Sequence, residues 1–151
     1  MNVRSNLIFV VSLVTLIANA NDKDEKAPGA VNSTTVISAE HAQQEQADWG
    51  DALTYFTGDS YGSKDGLWAV ATIKPGQQIH PPHKHAEEEF LMVMAGSGTW
   101  HLNGKEFPAN TGDTMYAQPW DTHGIKNTGK IPLKFVVWKW NSKGLPVPEE
   151  K

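Results

Sequence analysis

Gly76-Gln-Gln-Ile-His80-Pro-Pro-His83-Lys-His85-Ala-Glu-Glu-Glu89, closed by Gly96 seven positions on, is the stretch that decides this chain. In an extended strand alternate side chains share a face, so His83 and His85 aim two imidazoles at one point. A second block opens at Gly112-Asp113 and runs through Pro119-Trp-Asp-Thr to His123, with Asn127 four residues later. A third imidazole from His123 and a carboxylate from the Glu87-Glu88-Glu89 run would complete a mixed nitrogen and oxygen site. Such a ligand set suits a divalent ion such as Fe, Mn, Ni, Co, Zn or Cu. Taken singly, a His-x-His pair is commonplace and an acidic run is ordinarily a solvated turn. The two blocks in order, each with its glycine, carry the reading.

Outward from these blocks the chain is punctuated by turn signals: Pro75-Gly76, Gly96-Ser97-Gly98, Asn103-Gly104, Thr111-Gly112 and Thr128-Gly129. Between them lie short runs rich in β-formers: Leu67 to Ile73, Phe90 to Met94, Thr99 to Leu102 and Leu133 to Trp140. Thr99–Leu102 and Lys105–Phe107 around Asn103-Gly104 make the clearest hairpin. Many short strands with regular turns predict an all-β sandwich or barrel. Ser38 to Ala47 is rich in Ala, Glu and Gln, and with Ser38 as N-cap and Gly50 as stop it reads as one short helix. Residues 21–36 read as a flexible leader and 37–151 as the folded domain.

The two histidine blocks resemble the paired signature motifs of the cupin superfamily. Three residues separate His85 from Glu89 and six separate Glu89 from Gly96, as in the first motif; Gly112, His123 and Asn127 keep the separations of the second. That spacing selects Glu89 over Glu87 and Glu88. Two departures stand out. One extra residue lies between Gly76 and His83, absorbed at Pro81-Pro82. In the second motif Gln118 takes the proline slot, Pro119 follows it, and Trp120 replaces a glycine. The resemblance spans about Tyr55 to Trp140. It implies a double-stranded β-helix, or jelly roll, in a single domain; one divalent metal ion on His83, His85, Glu89 and His123; and a homodimer, since single-domain members commonly pair.

The N-terminus speaks to place. Arg4, the apolar run Leu7 to Ile17 and the small-residue site Ala18-Asn19-Ala20 are the three parts of a secretory signal peptide, residues 1–20. The apolar run is half the length a membrane span needs. A periplasmic or secreted protein is expected, taking its metal outside the cytoplasm. The chain has no cysteine, so no disulfide or lipid anchor. Arg4 is its only arginine and would leave with the signal, removing the usual bidentate clamp for carboxylate or phosphate. Twelve lysines against seventeen acidic residues then remain. Without a basic face nucleic acid is excluded as a partner. A small neutral, carbohydrate-like or metal-chelating molecule is the expected substrate.

Other residues invite roles. His80 could serve as a base behind the metal, or be a surface histidine. Tyr116, on a strand leading to His123, reads equally as a phenolic acid/base and as a core tyrosine. Trp68, Trp100, Trp120, Trp138 and Trp140 are numerous and expected mostly in the core, with Trp120 at the pocket mouth. The orientation of His101 stays open, and His41 is expected in solvent. A three-histidine, one-carboxylate ion supports Lewis-acid isomerase, lyase or hydrolase chemistry. The alternatives are a cupin-type dioxygenase and a non-catalytic small-molecule or metal-binding module.

Overall fold

A computed structural model describes residue 31 and residues 33–150; the expected signal peptide and most of the leader lie outside them. Nine strands follow in order: β1 Gln43–Ala47, β2 Gly50–Gly58, β3 Ser63–Ile73, β4 Glu88–Ala95, β5 Ser97–Leu102, β6 Lys105–Asn110, β7 Thr114–Ala117, β8 His123–Lys126 and β9 Leu133–Ser142. A six-stranded sheet runs β1-β2-β3-β9-β4-β7 and a three-stranded sheet runs β6-β5-β8. All named pairings are antiparallel. The architecture is the expected jelly roll. Among the described residues no helix is long and apolar enough to cross a membrane.

Period-two alternation builds the core. On β9, Leu133 and Phe135 are buried while Lys134 is exposed; on β4, Leu91 and Val93 are buried while Met92 and Met94 are exposed. These inward rows meet Trp100 and Ile125 of the smaller sheet in one apolar cluster. The Asn103-Gly104 hairpin forms as expected, both residues at positive φ and Leu102 paired with Lys105. Gly96 is obligatory in two ways: its φ is +81°, and a Cβ there would lie 2.4 Å from the Pro132 carbonyl oxygen.

Two expectations are corrected. The segment from Ser38 holds only a single 3-10 turn, Ala39–His41, and residues 43–47 pair as edge strand β1 against β2. Ser38 Oγ bonds the His41 ring 2.7 Å away and caps nothing; ladder bonds to β2 override a modest helix propensity. The tryptophans are not mostly core either. Trp100 is buried, but Trp68 and Trp138 are 44% and 49% exposed. Both occupy the outward phase of their strands, directly paired and stacked at 5.4 Å.

Candidate metal centre

The His83 segment is not a long strand but a loop stitched to β8 by one bridge. His83 N donates to the His123 carbonyl and His123 N to the His83 carbonyl, each at 2.9 Å. Gly124 lets this happen, because Pro82 Cα passes 3.2 Å from where its Cβ would sit. The three rings converge, with centroids 5.1 Å apart for His83–His85 and 4.8 Å apart for His123 with each of the others. One ring nitrogen from each lies within 4.8 Å of the other two, a spacing that could hold a metal ion. Local alternation still works, for Lys84 between the two histidines is exposed and pairs with Glu150.

Glu89 comes from the start of β4 and is buried. Its Oε2 lies 3.2 Å from His85 Nε2 and its Oε1 3.3 Å from His123 Nε2. It stands outside the mutual three-histidine set and joins it through these two rings. Glu88 faces the other way, accepting a bond from Tyr116 Oη at 3.0 Å. Glu87 lies behind His85, its carboxylate 3.1 Å from Nδ1.

Hydrogen bonding fixes which ring atoms face the centre. Asp121's carbonyl is 2.8 Å from His123 Nδ1 and Glu87's is 3.0 Å from His85 Nδ1. A carbonyl only accepts, so both Nδ1 atoms carry protons and Nε2 is left as a lone pair in a neutral ring. Each Nε2 then faces a Glu89 oxygen, an acceptor against an acceptor in the neutral ring and a hydrogen bond once the ring takes a second proton. His123 Nε2 and His83 Nδ1 are buried without a hydrogen-bond partner. Such an arrangement requires a positive charge between the groups, either a proton or a metal ion. The donor set therefore fits a divalent metal.

The electrostatics favour a positive charge beside Glu89 and a neutral ring at His83. Burial alone would raise the Glu89 carboxyl, but the adjacent His123 and His85 imidazoles outweigh it and hold it down to about 2. Burial also opposes a charge on His123, yet Glu89 and the Asp121 carbonyl raise its pKa above the ordinary histidine value. His83 is lowered to about 4, first by burial and then by the neighbouring His80, His123 and His85. It is neutral and ready to ligate at physiological pH.

A cavity of about 340 Å³ opens on the cluster, walled by Leu91, Phe135 and Val137 and reached past His80. His80 is exposed at this rim, its ring edge-on to His83 at 4.0 Å and its Nδ1 3.1 Å from the Pro81 carbonyl oxygen. Tyr116 is not brought to the site. It pairs with Phe90 on the outward phase of β7, while its neighbour Ala117 takes the inward position opposite Glu89. Trp120 N donates to the His85 carbonyl at 2.8 Å, but its indole turns to the C-terminal segment, Nε1 donating to the Pro148 carbonyl at 2.8 Å. It does not line the cavity. Asn127 is wholly buried and outside the histidine cluster, its amide donating to the Ile73 and Ile131 carbonyls and accepting from Gly129 N.

Lys139 went unnoticed in the sequence and lines the cavity, its Nζ 3.4 Å from Glu87 Oε1. The signal was legible. Lys139 falls in the same phase of β9 as Leu133, Phe135 and Val137, a lysine on the apolar register. A larger groove of about 1030 Å³ lies on the outer face of the six-stranded sheet, away from the histidines, between Trp68 and Trp138 on one side and Val31, Thr34 and Ile37 on the other.

Residues 69–139 match the family described as Cupin domain. An oxalate-binding protein of Thermotoga maritima is 35% identical over 76 residues, half of this chain and 62% of that protein, so less than two thirds of its length is covered. Auxin-binding protein 1 of Arabidopsis thaliana is 28% identical over 146 residues, covering 88% of this chain and 73% of that protein. Among solved structures, a predicted oxalate decarboxylase from Thermotoga maritima superimposes with a TM-score of 0.56 at 23% identity, over 70% of this chain and 98% of its own.

Proposed function

The chain belongs to the cupin superfamily, and from that premise we propose that it is an exported, metal-dependent enzyme acting on a small oxygenated molecule. One divalent ion is held by His83, His85 and His123 with Glu89. A single observation supports the metal: the three imidazoles converge with one ring nitrogen of each within 4.8 Å of the other two, beside the buried Glu89 carboxylate, and two of the rings are pinned at Nδ1 by carbonyls so that Nε2 faces inward. Bound there, a divalent ion supplies Lewis acidity toward a carbonyl, hydroxyl or water oxygen.

The chain's own residues supply the rest. The Asp121 and Glu87 carbonyls hold two ligand rings in orientation. Leu91, Phe135 and Val137 keep bulk water from the cavity wall. His80, at the rim and outside the ligand set, is the residue to carry a proton to or from a substrate atom. A cavity of about 340 Å³ is at the small end of ligand sites, so the substrate has few heavy atoms. The likeness to an oxalate-binding protein favours a second reading, retention of such a molecule without turnover.

Metal content of residues 21–151, exported and purified without chelator or histidine tag, tests the proposal. Near-stoichiometric metal, lost in His83→Ala/His123→Ala, is the expected result; no metal in either protein overturns it. Substrate screens on the loaded protein then separate the readings. Loss of turnover with retained metal in His80→Gln marks an enzyme, and substrate-dependent oxygen uptake would mark a dioxygenase.

A further inference from the structure

We propose that Lys139 determines specificity by reading a carboxylate on the small molecule that enters the metal cavity, so that the ligand class is a short hydroxy, keto or dicarboxylic acid. This rests on the metal-dependent reading and deepens it. Leu67, Lys139, Glu89 and Ala117 form one row across the six-stranded sheet, cross-strand partners in register on the inward side. Directly paired residues in antiparallel strands keep Cβ atoms about 5 Å apart. The ammonium stem therefore rises beside the Glu89 carboxylate and beside whatever Glu89 helps to hold. Among the described residues Lys139 is the one lysine or arginine lining this cavity, where the other charged groups are Glu45, Glu89 and the histidines.

An inward-facing lysine in a jelly roll carries a desolvation cost that an apolar residue in the same register would not. Its side chain is 25% exposed, and Glu87 Oε1, at 3.4 Å, is its only hydrogen-bond partner among the described residues. An ammonium has three donors, so two are left for a ligand. Glu87 is itself anchored, its other oxygen 3.1 Å from His85 Nδ1. This chain of contacts, His85 to Glu87 to Lys139, holds the ammonium at the edge of the metal cluster with donors to spare. A ligand of a few heavy atoms can thus place one oxygen toward the metal and a carboxylate on Lys139. The lack of arginine argued for neutral ligands; a lone inward lysine supplies the missing cation as a point charge.

The test compares acids with neutral counterparts of the same skeleton. Glycolate, lactate and malonate are titrated beside glycolamide, lactamide and malonamide into wild-type, Lys139→Gln and Lys139→Arg protein by calorimetry, with metal content measured on each sample. The expected result is tighter binding of acids than amides by wild type. Lys139→Gln should lose roughly ten- to hundredfold for the acids alone, the scale of one charge-assisted hydrogen bond. Lys139→Arg should keep the preference, and metal content should stay unchanged in both. Equal binding of acid and amide by wild type, binding of neither, or an equal loss of both in Lys139→Gln overturns the role of Lys139. Metal-free wild-type protein would overturn the metal reading instead, and the acid-to-amide ratio would still decide Lys139.

Discussion

His83, His85, His123 and Glu89 are alike in converging but not in charge, and that difference is measurable. His83 is lowered to about 4 by burial and by three neighbouring imidazoles. In metal-free protein the unfolded chain therefore takes up a proton near pH 6.5 that the folded site refuses until about 4. More protons on the unfolded state means stability rises with pH, so this contribution is lost as pH falls from about 6.5 to 4. Solvent reaches part of the ring, and an effect of about 1–2 kcal/mol is expected after screening. Urea unfolding of apoprotein at pH 4.5 and 7 should show that slope, and His83→Asn should flatten it; an unchanged slope would refute the assignment. Glu89 has its window lower. Its carboxyl is held at about 2 against an ordinary value near 4.5, so its share of stability is present above 4.5 and disappears as pH falls toward 2. Replacing it tests the ligand set: Glu89→Gln keeps the size but removes the charge between His85 and His123. Metal affinity should fall roughly 10–100-fold, read by competition with a chromophoric chelator, while full metal retention would remove Glu89 from the site.

At the scale of elements, the second block divides its labour between the histidine cluster and the fold. His123 opens β8 and faces the centre, whereas Asn127 just beyond β8 ties the end of β3 to the turn before β9 through Ile73, Ile131 and Gly129. Asn127→Ala would leave the buried Ile73 carbonyl, the part-buried Ile131 carbonyl and the Gly129 amide without this partner. A loss of about 2–4 kcal/mol in chemical denaturation is expected, with metal stoichiometry preserved in the protein that folds; a loss of metal at unchanged stability would reverse this assignment. Element by element, legibility tracked alternation. The strands β3, β4, β5 and β9 and the Asn103-Gly104 hairpin could be read because apolar residues and turn glycines mark them locally. β1 could not, since Gln43–Ala47 is polar throughout and becomes a strand only by pairing with β2. The histidine cluster was visible as spacing, but Tyr116 was misplaced for want of register: one position along β7 exchanges the cavity for the outer face. Lys139 was hidden for the opposite reason, because a lysine at the end of an apolar run reads as an exposed strand end until Glu89 is found across from it.

The whole molecule leaves one surface to account for. Tyr116, Phe90, Trp138 and Trp68 are successive cross-strand neighbours on the outer face of the six-stranded sheet. Met92 and Met94 extend that face along β4, all six side chains being 40–50% exposed. Trp138 also contacts Trp140 at 5.3 Å, and Trp140 stacks on Phe90 at 6.0 Å, so the aromatics form a continuous ladder. Aromatic side chains of about 150–250 Å² each make this roughly 500 Å² of apolar surface, the upper range for an isolated monomer. It approaches the roughly 800 Å² per partner of a stable interface. The occupant expected is a second copy, since a two-fold contact buries the same apolar patch on both chains at once. Sedimentation of residues 21–151 should give a dimer, and Met92→Glu/Trp138→Glu should give a monomer of unchanged metal content, since both positions lie on the face away from the cavity. A wild-type monomer at micromolar concentration, or a dimer untouched by the double substitution, would place the interface elsewhere and leave the ladder to a different occupant.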